Sequence, residues 1–313
     1  MRYKKFGKTG LDVSVLTTGT WAIGGANWGE VNEVDSIAAI QEMAAQGVNL
    51  IDTAPGYNAG HSERVVGEAV RSIRDKVYLT TKTALYTGPD GSYIKDGRAA
   101  NILRQCEESL KNLGTDYIDI YLIHWPDPKV EIGESMGAMV KLLDQGKIRH
   151  IGVSNFSEAQ ILEAEKYGPV EVIQPPFSMV NRVETDLMNW CARREIGIMT
   201  YGSLGAGILT GAIRAMPDFP PEDTRRTFYP YFEEPMFTQI MELLKTLDIV
   251  AGNHHAPVAQ VALNWSIQKE YVHTAIVGVR NEKEAAENCR GMDWELSPEE
   301  IAMIDAAIAD NLD

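Results

Sequence analysis

Apolar residues fall along this chain in short unbroken runs, separated by longer stretches with helical spacing. The runs lie near residues 16–20, 48–52, 77–82, 118–124, 148–154, 170–174, 197–201 and 274–278. Their length and continuity predict strands buried on both faces. Between and after them, apolar positions recur three and four apart near 33–46, 62–72, 99–113, 132–145, 158–167 and 184–195. The same spacing returns near 235–250, 258–268, 282–290 and 298–309, and predicts amphipathic helices.

Local signals support these boundaries. Ser157 precedes one helical pattern, and Ser297-Pro298 opens the last with proline at the first helical position. Gly47, Gly114, Gly146 and Gly168 close others. Before the first buried run, residues 2–6 and 11–15 flank the turn Gly7-Lys-Thr-Gly10 and read as a hairpin. Eight strands alternating with helices predict a (β/α)8 TIM barrel, α/β in class, with the N-terminal β-hairpin closing its bottom. No linker-like stretch divides residues 1–313, which read as a single domain. The Pro-, aromatic- and charge-rich piece from about 205 to 234 reads as an active-site loop. A doubly wound dinucleotide fold is disfavoured. Neither Gly19-Thr-Trp-Ala-Ile-Gly24-Gly25 nor Gly205-Ala-Gly207-Ile-Leu-Thr-Gly211 has the required glycine spacing after the first strand.

Composition narrows the function. The chain has 313 residues, a hydrophobic fraction of 44% and a formal charge of −15. Such a surface repels a phosphate backbone, so nucleic acid is an unsuitable partner, and any phosphate-bearing ligand needs local positive groups. No window has the length and apolarity of a membrane span, and no apolar core follows the basic N-terminus. The protein reads as cytoplasmic. Cys106, Cys191 and Cys289 lack disulfide or paired-ligand spacing, and no metal site is expected.

Three polar residues close buried runs: Asp52, Lys82 and His124. Tyr57 follows Asp52 in the loop Ala54-Pro-Gly-Tyr-Asn58. Strand ends at the rim of a parallel barrel are where such folds keep their chemistry. An acid, a phenol, an amine and an imidazole gathered there can protonate a carbonyl oxygen.

In combination these residues resemble the aldo-keto reductase family, its bacterial short-loop members most, over essentially the whole chain. The resemblance rests on Asp52-Thr-Ala-x-x-Tyr57, Thr81-Lys82, Tyr121-Leu-Ile-His124-Trp-Pro-Asp and Gly152-Val-Ser-Asn-Phe156. Gln174, Tyr201-Gly-Ser-Leu204, Gly278-Val-Arg280 and Glu287-Asn288 continue it. It implies a reversible, NAD(P)H-dependent reduction of an aldehyde or ketone, with Tyr57 as general acid and base. A free phenol has a pKa near ~10, too high for a base at neutral pH. The resemblance therefore implies that Lys82 favours the phenolate, Asp52 holds Lys82, and His124 orients the carbonyl, with Tyr57 and His124 forming an oxyanion site. Hydride comes from a nicotinamide, because no side chain supplies one.

The resemblance assigns Ser154, Asn155 and Gln174 to the nicotinamide carboxamide and Tyr201 to its ring face. It assigns Gly202, Leu204 and Gly207 to the pyrophosphate loop, and Arg280, Glu284, Glu287 and Asn288 to the adenosine end. Glu284 stands where relatives carry Gln or Arg, Phe177 where Tyr is frequent, and Gly202 where Ser is frequent. A carboxylate at 284 repels a 2′-phosphate and Arg280 attracts one; the habit of the family it resembles, together with Arg280, favours NADP(H), with NAD(H) the alternative. Trp21, Trp28, Tyr86, Trp125 and Tyr229 are candidates for an aromatic-walled pocket suited to aryl aldehydes or to sugar-like carbonyls.

Structural roles compete at single positions. Asp52 and Lys82 can form a rim ion pair, and Ser154 and Asn155 can cap the next helix. Arg225 and Arg226 suit either cofactor phosphates or a solvated loop. His254 and His255, adjacent and so diverging, read as surface residues. Two other classes compete with the enzyme: a cofactor-sensing regulatory subunit with little turnover, and a metal-assisted hydrolase. For the hydrolase, His124 alone sits at a strand end.

Overall fold

The structure, a computed structural model, describes residues 1–24, 32–88, 92–220, 223 and 225–312. Strands β1 (Tyr3–Lys5) and β2 (Asp12–Ser14) pair antiparallel as the expected hairpin. The chain then lays down β3 (Leu16–Gly19), β4 (Leu50–Asp52) and β5 (Tyr78–Thr83). A second antiparallel hairpin follows, β6 (Leu85–Thr87) with β7 (Tyr93–Lys95). The remaining strands are β8 (Ile118–Ile123), β9 (Ile148–Ser154), β10 (Val172–Gln174), β11 (Gly197–Thr200) and β12 (Thr274–Gly278). Eight strands close a barrel in the order β10-β11-β12-β3-β4-β5-β8-β9, every pair parallel.

The helices are α1 (Glu33–Ala45), α2 (His61–Val70), α3 (Ala99–Leu113), α4 (Ile132–Asp144), α5 (Glu158–Ala164) and α6 (Thr185–Arg193). After them come the single turn α7 (Arg225–Phe228), then α8 (Met236–Asn253), α9 (Val258–Ile267), α10 (Glu282–Arg290) and α11 (Pro298–Leu312). None among the described residues is long and apolar enough to cross a membrane.

The first hairpin closes the barrel at the N-terminal ends of the strands. Phe6 is fully buried among Leu50, Ile120, Leu122, Val172 and Met199, which form the barrel interior. Gly197, the first residue of β11, makes room for it: a Cβ there would lie 2.8 Å from the Phe6 ring. With the bottom sealed, the opposite rim is the open end.

Some boundaries differ from the sequence reading. Val48 and Asn49 belong to the return from α1, not to β4. The Asn49 side chain accepts from Ser14 N (2.8 Å) and donates to Asp12 O (2.8 Å), which ties the hairpin down. His254 is not a free surface residue. It caps α8, stacks on Trp294 (4.1 Å between ring centres) and bonds Glu300 of α11 (2.9 Å) through Nε2. His255 is exposed, as expected. Arg225 is held by Asp223 (2.6 Å) and lies over the Phe219 ring, so its charge is engaged inside the loop. The Arg226 side chain lies outside the described residues.

Candidate active site

Asp52 ends β4, and Lys82 is the penultimate residue of the adjacent β5. Lys82 is fully buried. Nζ lies 2.8 Å from both Asp52 carboxylate oxygens, 2.8 Å from Thr53 O and 3.2 Å from Tyr57 Oη. An ammonium is donor only, so Tyr57 Oη accepts this bond. The phenol's own hydrogen is thereby available to another acceptor.

Gln174 ends β10, half a barrel away in strand order from β4. Its Nε2 donates to Asp52 Oδ1 at 2.7 Å, across the mouth. Burial pulls Lys82 down and Asp52 up. Each charge offsets the other's desolvation. We assign the ion pair, because every Lys82 neighbour within bonding distance is an acceptor.

Tyr57 departs from the sequence expectation. Its phenol is pushed well above the ordinary range, first by burial and then by the Asp52 carboxylate. Burial and the Asp52 carboxylate both act against the phenolate. His124, directly after β8, lies edge-on to Tyr57 with ring centres 6.2 Å apart. Burial, then the Lys82 charge, hold it well below the usual histidine range, so the imidazole is neutral. Its Nδ1 is buried without a hydrogen-bond partner.

The next three strands extend the rim. Ser154 Oγ donates to Gln174 O (2.7 Å). Asn155, in the left-handed region (φ 59°), donates to His124 O and to Ser154 Oγ, both at 3.0 Å. Tyr201 Oη donates to Asn155 Oδ1 at 2.9 Å. Neither Ser154 nor Asn155 caps α5. Ser157 does, in a capping box with Gln160.

Residues 15–309 match the model of the Aldo/keto reductase family. Over 306 residues the chain is 38% identical to the aldo-keto reductase YhdN of Bacillus subtilis, covering 96% of this chain and 91% of that protein. It is 30% identical to the NADH-specific methylglyoxal reductase of Escherichia coli, covering 97% of each. The structure superposes on that of the glycerol dehydrogenase AKR11B4 from Gluconobacter oxydans with a TM-score of 0.90. That match has 32% identity and covers 100% of this chain and 95% of that one.

The chain belongs to the aldo-keto reductase family.

As such it is an NAD(P)H-dependent oxidoreductase acting on small carbonyl compounds or their alcohols. Gly202 (φ 72°) and Gly207 (φ 95°) follow β11, and Gly278 ends β12. A Cβ built on any of the three meets nothing within 4 Å, so the reductase has open space along this edge. The amides of Gly205 and Gly207 donate to Gly202 O and Leu204 O, so those two serve the turn itself. Leu204 packs against the core. Arg280 and Glu284, expected to pull in opposite directions on a phosphate, are paired with each other at 2.7 Å. Glu284 also accepts from the Arg280 backbone amide at 3.0 Å. Glu287 accepts from Gln260 through its carbonyl (2.6 Å), and Asn288 is buried on α10.

Trp21 stacks on Tyr57 with ring centres 6.2 Å apart, and Trp125 lies under the Lys95 amine at 4.7 Å. Tyr229 stacks on Tyr231 (5.4 Å), and its phenol lies close enough to Tyr57 to interact electrostatically. Trp28 lies outside the described residues. The β6–β7 hairpin was not anticipated. In its register Thr87 faces Tyr93 and Leu85 faces Lys95, while Tyr86 and Ile94 occupy the other face. Thr87 Oγ1 donates to Gly56 O (3.2 Å) in the Tyr57 loop. Tyr93 and Lys95 are thus on the site's side, and Tyr86 is on the face turned away. The turn sequence Gly88-Pro-Asp-Gly91 between alternating residues was the available signal.

Proposed function

We propose that this aldo-keto reductase reversibly reduces an aldehyde or ketone, aryl or sugar-like, with Tyr57 as general acid. The observation that carries this reading is the direction of the Lys82–Tyr57 hydrogen bond. Lys82 donates to Oη, so the Tyr57 proton is left to point into the pocket. A phenol raised above its ordinary range holds that proton at neutral pH and delivers it as negative charge grows on a carbonyl oxygen. The neutral His124 lies edge-on to the same phenol, which supports a role in orienting that oxygen. Asp52, held by Gln174, keeps the ammonium beneath Tyr57. Bound reduced nicotinamide supplies the hydride, which no side chain can.

The residues that would hold it are Ser154, Asn155 and Gln174 at the strand ends, Tyr201 beside them, and the open glycine edge leading to Arg280. NADP(H) is our assignment, on the Arg280 charge. The paired Glu284 narrows the margin over NAD(H). Aromatic faces at Trp21, Trp125 and Tyr229 suit a planar or pyranose-like substrate. We place the enzyme in the cytoplasm as a single barrel domain.

The test is steady-state turnover with NADPH and with NADH against a panel of aryl aldehydes and keto-sugars, repeated in Tyr57→Phe. Turnover in the wild type, abolished in the variant while cofactor still binds, is the expected result. Near-normal turnover in Tyr57→Phe refutes the assignment. Cofactor binding without turnover across the panel instead supports a cofactor-sensing subunit.

A further inference from the structure

Glu63 is a fully buried carboxylate that the mechanism above does not use. It lies on α2, in the first turn after the Tyr57 loop. Thr81 Oγ1 donates to its Oε1 at 2.7 Å, and Asn112 Nδ2 donates to its Oε2 at 2.9 Å. Thr81 is the chain neighbour of Lys82. Consecutive strand residues face opposite sides, so Glu63 sits behind the barrel wall while Lys82 faces the interior. A buried acid in a helix is expensive, and an uncharged residue would serve a purely structural staple between α2, β5 and α3.

We propose that Glu63 is a positioning residue that keeps Lys82 protonated through the barrel wall, so that Tyr57 retains its hydrogen-bond donor. The buried cluster then contains two carboxylates, Asp52 and Glu63, for one ammonium. Burial lifts the Glu63 carboxyl above its ordinary range, and the Asn112, Ser109 and Thr81 side chains pull it back. As a carboxylate it raises the proton affinity of Lys82 in the same sense as Asp52 but without touching it. The other ionisable groups in its field are Cys106 on α3 and Tyr121 on β8. Burial pushes the Cys106 thiol up to about 12 and the Tyr121 phenol well above its ordinary range, so neither changes charge near neutrality. On its own helix, Arg64 is exposed and reaches back to Ala59 O (3.5 Å). Facing Lys82 itself are the Asp52 carboxylate and the His124 imidazole, which burial keeps neutral, so Lys82 is the group left to respond.

The proposal rests on Lys82 being the partner of Tyr57, and its test is built so that it needs no turnover. Lysine labelled with 13C at Cε is incorporated, and the Lys82 resonance is assigned by its loss in Lys82→Met. The pH titration is compared in wild type, Glu63→Gln and Glu63→Asp. The amide of Gln donates to the Thr81 hydroxyl and accepts from Asn112, so the staple survives without the charge. Expected is a Lys82 titration at lower pH in Glu63→Gln, by at least about half a unit, and near the wild-type position in Glu63→Asp. The alkaline limb of kcat/KM moves with it.

An unchanged Lys82 titration in Glu63→Gln overturns the proposal, as does an equal shift in Glu63→Asp. Should the Gln variant not fold, 13C labelling of the Glu63 carboxyl in wild type decides. An ionised carboxylate at neutral pH whose shift senses the Lys82 titration supports the proposal, and a protonated one overturns it. Absence of turnover in wild type counts against the proposed reaction alone.

Discussion

Lys82 Nζ donates to Tyr57 Oη across 3.2 Å while also contacting both oxygens of Asp52. The phenol is therefore an acceptor toward Lys82, and its own hydrogen is left for another acceptor. Tyr57→Phe removes the proton and keeps the ring that Trp21 stacks on. Turnover falls at least about a hundredfold, the low end for a lost general acid. Cofactor affinity, followed by fluorescence titration, changes little.

Asp52→Asn leaves a fully buried ammonium without the carboxylate it is hydrogen-bonded to. Breaking one side of a buried pair costs about 3–5 kcal/mol. Denaturant unfolding of this variant reads that loss directly. The doubly neutral Asp52→Asn/Lys82→Met recovers much of the stability and none of the turnover.

His273 makes stability pH-dependent. Its Nδ1 accepts from Ile198 N (3.1 Å) and its ring meets the Phe6 plug edge-on. Burial, then the charge of Lys4, pull it from 6.5 down to about 4. The unfolded chain binds this proton below about 6.5, and the folded one only near 4. Stability is therefore full above the unfolded value and declines as pH falls from there toward about 4, by at most about 3 kcal/mol. Thermal unfolding across this window in wild type and His273→Gln checks it. The part of the decline due to His273 is absent from the variant.

The Arg280–Glu284 pair predicts a change in cofactor choice. Glu284→Gln frees the guanidinium and removes a charge that repels a 2′-phosphate. The affinity for NADPH relative to NADH rises several-fold, about 1 kcal/mol for an exposed charge. Arg280→Met lowers the same ratio. Paired dissociation constants measure both, and an unchanged ratio in both variants removes this end of the cofactor from residues 280–284.

Hairpin register separates two tyrosines. Tyr93→Ala raises KM for the best carbonyl substrate, whereas Tyr86→Ala, on the face turned away, leaves it within about twofold. The reverse order would mean that β6–β7 presents its other face.

The barrel and its rim residues were legible in the chain because they depend on local rules. A buried parallel strand is a short apolar run, and a polar residue closing it must reach the rim. Asp52, Lys82 and His124 followed from that, and Tyr57 from its loop beside Asp52. Glycine-bounded ends and the Ser157 cap were equally local. Tertiary structure decided what each group meets there. Gln174 reaches Asp52 across 122 positions of chain, Glu63 takes the Thr81 hydroxyl, and Glu284 takes Arg280. It also set the sign of the Tyr57 shift, because desolvation depends on everything packed around a group and not on its nearest charge. Periodicity fixes the direction of a side chain, and barrel closure fixes its neighbours.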